Sequence, residues 1–181
     1  MRMAREKMQE ARRIEHPIPP FAEAGARVLI LGSFPSVKSR ESGFFYGHTQ
    51  NRFWKVLARV FEDAVPSTVD IVPVTVDEKK AFLAAHGIAL WDVIASCTIT
   101  GSADSSIRDV VANDVGALLR THDIRAVFTN GKTAQALFDQ HLAPSLGVCA
   151  TCLPSTSPAN AAWGIDRLVE AWRVVGEAIL L

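Results

Sequence analysis

Four short, unbroken apolar runs constrain this chain more than any other feature: Arg27–Leu31 (RVLIL), Ile88–Ile94 (IALWDVI), Ile124–Thr129 (IRAVFT) and Leu146–Leu153 (LGVCATCL). A strand with one wet face alternates polar and apolar residues; a strand covered on both faces does not. Stretches with helical spacing lie between the runs. QNRFWKVLARVFED, from Gln50, repeats Phe53, Trp54, Leu57, Val60 and Phe61 on one face. Thr75 to Glu78 has capping-box spacing ahead of KKAFLAAHG, which Gly87 stops. Further helices are expected over Asp114–Thr121, over Lys132–His141, and over Gly164–Ala178 with Leu168, Trp172 and Val175 aligned. Strands alternating with helices predict an α/β fold, a three-layer α/β/α sandwich with a central four-stranded parallel sheet.

The first residues stand apart from that pattern. Met1–Arg13 is basic, with Ala and Met at helical spacing but too few residues for a lone helix, and His16–Pro20 (HPIPP) is forced to be extended. Residues 1–20 therefore read as an N-terminal arm ahead of one domain, 21–181. Pro66–Pro73 reads as a linker and Ser96–Ser106 as a polar loop.

Lys plus Arg and Asp plus Glu number 19 each. That balance excludes a protein that coats nucleic acid through bulk charge, but not one that gathers its cations on one face. The charged opening segment and the lack of a membrane-length apolar run point to a cytoplasmic protein with no membrane partner. Cys149 and Cys152 have CxxC spacing, but no second ligand pair accompanies them, so no metal is expected.

In an open parallel sheet, ligands bind beyond the carboxyl ends of the strands. Four loops leave those ends. The first carries GSFPS (Gly32–Ser36) and then GFFYGHTQNRFW (Gly43–Trp54). The others are Ile94–Ser106, Asn130-Gly131, and the loop of LPSTSPAN (Leu153–Asn160). Gly32, Ser33 and Ser36 allow close approach to backbone N–H groups, and the hydroxyls of the last loop suit phosphate oxygens.

These segments, in this order, resemble the uracil-DNA glycosylase superfamily over Arg27–Trp172, most nearly its hypoxanthine-DNA (deoxyinosine) glycosylase branch. The resemblance implies removal of a deaminated base flipped out of DNA, by one enzyme without cofactor or obligatory protein partner, acting as a monomer. It implies a base pocket of Gly32, Ser33, Phe34, Phe45, Tyr46, His48 and Asp92. Phe45 or Tyr46 would be the stacking floor; Phe44 reads as core. Asp92 either accepts an N–H of the base or caps the following turn. Ser36, Lys132, Ser155, Thr156, Ser157 and Asn160 are implied to contact DNA phosphates. Relatives carry an Asp or Asn to orient water where this chain has Phe34, and a histidine where it has Leu153. The resemblance to the hypoxanthine branch implies instead that the essential polar residue is the Asn of the NRFW segment, here Asn51, an amide that can position water and is equally suited to capping a helix. A catalytically silent binder of damaged DNA or abasic sites is the alternative on the same fold. An unrelated phosphate-processing enzyme is disfavoured, because GSFPS lacks the GxGxxG spacing and the P-loop lysine.

Overall fold

A computed structural model describes residues 10–62 and 72–180. In chain order, β1 (Arg12–Glu15) and β2 (Val28–Gly32) precede α1 (Val37–Ser42), α2 (Phe53–Glu62) and α3 (Val76–Ala85). β3 (Ile88–Asp92), β4 (Ile94–Ile99) and β5 (Arg108–Ala112) follow, then α4 (Val115–Thr121) and β6 (Ala126–Asn130). α5 (Lys132–His141), α6 (Ala143–Leu146), β7 (Ala150–Leu153) and α7 (Ile165–Leu180) complete the fold.

The apolar runs form the expected parallel sheet, in the order β3-β2-β6-β7. All five residues of β2 are buried, and their alternation serves both faces. Val28 and Ile30 join the core built with α2, α3 and α7, while Leu29 and Leu31 join the one built with α4 and α5. Trp172 and Phe53 are fully buried in the first core and meet edge to face with centroids 5.7 Å apart. Burial of side chains this large supplies roughly 1.5–3 kcal/mol each. The three-layer α/β/α sandwich is therefore the architecture.

Four expectations need correction. The run Ile88–Ile94 is not one strand. Val93 donates to Gly32 O and Ile94 to Ser33 O, and the buried Asn113 amide bridges Asp92 O and Ile94 O across the break. Beyond it the chain enters a second sheet, antiparallel, in the order β1-β4-β5. Residues 96–99 are thus strand rather than loop, with a 3-10 turn at Asp104–Ser106. The end of the supposed arm, Arg12–Glu15, is β1 and pairs with β4 from Arg12↔Ile99 to Glu15↔Ser96. Finally, the loop after β2 contains α1, capped by the Ser36 hydroxyl. Residues 1–9 of the arm and most of the supposed linker at Pro66–Pro73 lie outside the described residues. The capping box at α3 forms, with Thr75 Oγ1 accepting from Glu78 N and Glu78 Oε2 accepting from Thr75 N.

Candidate active site

The chain turns from β2 outward to β3 and later returns to place β6 on the other side of β2. Strand order therefore reverses between β2 and β6, the place where sheets of this kind bind ligands. A cavity of about 580 Å³ opens there, above the ends of β2, β3 and β6. Such a volume is ordinary for a small-ligand site. Its wall includes Gly32, Ser33, Phe34, Ser36, Phe45, Tyr46, His48, Asn51, Asp92, Asn130, Ser155 and Ser157. Lys132, Thr156 and Asn160, also expected at the site, do not line it.

Asn51 sits at the entrance to α2 and does two things at once. Its Oδ1 accepts from Phe53 N and from Thr156 Oγ1, each at 2.9 Å, which uses both carbonyl lone pairs. The backbone N–H fixes the amide orientation, so Asn51, which lines the cavity, has its NH₂ group left to donate rather than accept. Thr156 is fully buried, and its hydroxyl also accepts from Asn130 Nδ2 at 2.9 Å. That assigns Thr156 to holding Asn51, in correction of the expected phosphate contact. Asn160 likewise turns inward, its Nδ2 donating to Ser155 O at 2.9 Å. Lys132 stands exposed at the first turn of α5.

Arg52 was overlooked in the sequence, where its charge suggests DNA. Its side chain instead reaches the carbonyls of Thr156, Ser157, Asn160 and Trp163. Its backbone N–H donates to Thr156 O as well. The NRFW segment and the LPSTSPAN loop are therefore one structural unit. Trp172 Nε1 closes the loop from below through Pro154 O, at 3.0 Å. Within the loop the Ser155 hydroxyl accepts from Ser157 N, and Gly131 leaves room for it: a Cβ at Gly131 would lie 2.9 Å from that of Ser155.

At the inner end of the cavity, Tyr46 stacks on Phe53 with centroids 3.8 Å apart, and Phe45 is buried behind it. Phe44 packs on Trp54, as expected of a core residue. Asp92, at the last position of β3, lies in register with Gly32 at the end of β2. Its Oδ2 is 2.8 Å from His16 Nε2; the two side chains are 6% and 3% exposed. His16 also stands edge-on to Phe34, centroids 5.7 Å apart. Nothing in the sequence pointed to His16, because β1 and β4 had to be recognised before it could be placed there. Burial, and then the nearby Asp92 carboxylate, push the Tyr46 hydroxyl far above the ordinary tyrosine range.

On the opposite rim, Ser33 Oγ donates to Asp104 Oδ2 at 3.1 Å, and both residues line the cavity. Asp104 is exposed on its outer side. Desolvation on the inner side raises its carboxyl pKa, the Ser33 bond opposes the rise, and Asp92 adds to it. His48 Nδ1 accepts from Gln50 N and its carbonyl from Asn51 N, so His48 shapes the turn that delivers Asn51.

Comparison with known proteins agrees with this layout. A hypoxanthine DNA glycosylase of Methanosarcina acetivorans is 29% identical over 163 residues, covering 90% of this chain and 98% of that protein. A hypoxanthine DNA glycosylase of Methanosarcina barkeri is 27% identical over 143 residues, 78% of this chain and 85% of that one. A solution NMR structure of a uracil DNA glycosylase candidate from M. acetivorans superposes with a TM-score of 0.72 at 27% identity. It covers 92% of this chain and 99% of its own. Residues 19–176 match the sequence pattern that defines one superfamily across nearly the whole described fold, and the chain belongs to the uracil DNA glycosylase superfamily.

Proposed function

We propose that this protein is a monofunctional DNA glycosylase that hydrolyses the N-glycosidic bond of a deaminated base, hypoxanthine or uracil, flipped out of DNA. The observation that carries this reading is Asn51: it lines the cavity, with its amide locked by Phe53 N–H and by Thr156. The two Methanosarcina relatives, both hypoxanthine DNA glycosylases, favour hypoxanthine as the preferred base. A deaminated base pairs poorly, so it costs less to evert than a normal one. The site encloses a single nucleotide, and the protein works as a monomer in the cytoplasm without a cofactor.

The chemistry follows from what each group can donate or accept. The Asn51 NH₂ group holds the oxygen of a water below the anomeric carbon. It can place that water but not take its proton. Phe34 has no polar atom for the purpose, and Asp92 sits at the inner end of the cavity, bonded to His16. Asp104 is the remaining cavity carboxylate and accepts the proton. The water oxygen bonds to the anomeric carbon as the glycosidic bond breaks, and the base departs with the bonding pair. Ser155 and Ser157, beside the cavity mouth, hold the flanking phosphates.

The test is a panel of duplexes carrying uracil, hypoxanthine or xanthine, scored by strand scission after alkali. Excision by the native protein, with Asn51→Ala losing about 10²–10³ in rate while retaining DNA binding, is the expected result. Equal rates would remove Asn51 from the mechanism. Phe34 and Leu153, where relatives carry polar groups, favour a second reading as a binder of damaged or abasic DNA. A mobility shift with no scission on any of the three bases would establish that instead.

A further inference from the structure

The reaction above leaves the Tyr46 hydroxyl without a task. It is the chain's only tyrosine, and its oxygen is buried on the cavity wall, where the Asn130 side chain faces it as a donor and no acceptor meets its O–H at hydrogen-bond geometry. Native structures seldom leave a buried hydroxyl unpaired, because the lost hydration is not regained. The residue is also held at φ 53°, in the left-handed region that side chains avoid. The surroundings therefore impose this placement against two local costs.

The hydroxyl lies beside Asp92. A methyl group at Gly32 would sit 2.2 Å from Asp92 Oδ1 and 3.3 Å from Tyr46 Oη, so both oxygens border one point above a residue that has only hydrogen to offer. Burial and the neighbouring carboxylate keep the phenol protonated, so its O–H can donate to a base oxygen, while the choice between the two edge patterns falls mainly on Asp92. Ile18 N–H donates to His16 Nδ1 at 3.2 Å, so that nitrogen carries a lone pair and the ring proton resides on Nε2. Nε2–H then donates to Asp92 Oδ2, which holds Asp92 as an acceptor.

We infer that Tyr46 Oη and Asp92 Oδ1 form a donor–acceptor pair that reads the C=O and N–H edge created by deamination, and that His16 sets its polarity. The inference rests on the glycosylase reading and says how the base is chosen. Hypoxanthine offers O6 to the tyrosine and N1–H to the carboxylate; uracil offers O4 and N3–H in the same arrangement. Adenine and cytosine reverse both, placing an amino donor against the hydroxyl and a ring lone pair against the carboxylate. A site built to bond one pattern rejects the other strongly, because its own buried groups are left unpaired. As the base departs, negative charge spreads onto the exocyclic oxygen facing Tyr46. The hydroxyl bond then strengthens in the transition state, supplying what Leu153 cannot. His16 touches Asp92 and not the base, so it is a positioning residue.

The single tyrosine gives a direct probe. Protein labelled with ¹³Cζ-tyrosine has one resonance to follow. It would be bound to duplexes carrying hypoxanthine or adenine on a 2′-fluoroarabinose, whose fluorine suppresses hydrolysis. A shift with hypoxanthine and none with adenine is expected. Tyr46→Phe keeps the ring and should lower kcat on hypoxanthine about ten- to a hundredfold with little change in KM. Asp92→Asn presents an amide donor in place of the acceptor. It should lower hypoxanthine excision at least as far and narrow the hypoxanthine-to-adenine binding ratio. His16→Phe, which preserves the ring packing, should narrow the ratio too, and His16→Gln, which restores an N–H donor, should recover part of it. An unmoved resonance on the hypoxanthine duplex would overturn the inference. So would an unchanged kcat on hypoxanthine in folded Tyr46→Phe together with an unchanged binding ratio in folded Asp92→Asn, while native protein still excises. Native protein that excises no deaminated base would remove the glycosylase reading itself, and this inference with it.

Discussion

Two sheets part company at Val93, and they divide the work of the molecule between them. The parallel sheet β3-β2-β6-β7 lies between two large cores, and its strand ends hold Gly32, Asp92 and Asn130 in fixed relation. The antiparallel sheet β1-β4-β5 covers a small core of Phe34, Ile94, Cys97 and Ile99. It contributes little burial, yet it delivers His16 behind the pocket, while the connection from β4 to β5 brings Asp104 to the rim. Stability resides mainly in the first sheet. The second adjusts the protons and acceptors of a site that the first has already placed.

That division can be broken experimentally, beginning with the larger core. Trp172→Ala empties a fully buried site and removes the bond to Pro154 O. A loss of about 3–5 kcal/mol is expected in denaturant melts. A smaller loss than from any change in the antiparallel sheet would reverse the assignment of stability. Asp104→Asn should leave the melt nearly unchanged but slow excision about a hundredfold. The raised carboxyl also sets a sign: native activity should fall on acidification at a higher pH than an ordinary aspartate would give, and the variant should lack that limb. Tyr46→Phe sharpens the link between pocket and fold. The folded protein retains a phenolic proton that the unfolded chain releases near pH ~10. Stability held below that pH is therefore lost above it, and the variant should remove about 1.4 kcal/mol per pH unit of the decline. Smallest of all, Ile14→Ala on half-buried β1 should cost about 1 kcal/mol while narrowing the hypoxanthine-to-adenine ratio through His16. Unaltered selectivity would separate β1 from base choice.

The same contrast explains what was legible in the sequence. Strands of the parallel sheet declare themselves because their runs are mostly apolar without polar–apolar alternation. α2, α5 and α7 do so because their periodicity is helical, and α5 runs from Lys132 to His141 as its sequence suggests. The antiparallel sheet does not, since RRIE offers one apolar residue in four and RDVVA is mostly exposed. Its strands form by pairing with one another, which is information spread over residues far apart in the chain. The cavity wall was legible where a loop leaves a strand end, as at Gly32, Tyr46, Asn51 and Asp92. Thr156 and Arg52 were not, because a hydroxyl or a guanidinium looks the same in sequence whether it faces phosphate or bonds inward. His16 required knowing that β1 and β4 are neighbours.

The Arg52 clamp has a consequence for how DNA is met. A side chain already engaged with four carbonyls is a poor source of counterion release, so Arg52 should add little to the salt dependence of binding. The last loop reaches its working shape during folding, and little entropy remains to be lost when the helix of DNA arrives. On the proposed glycosylase function, encounter with a lesion would then be governed by how readily the nucleotide leaves its stack.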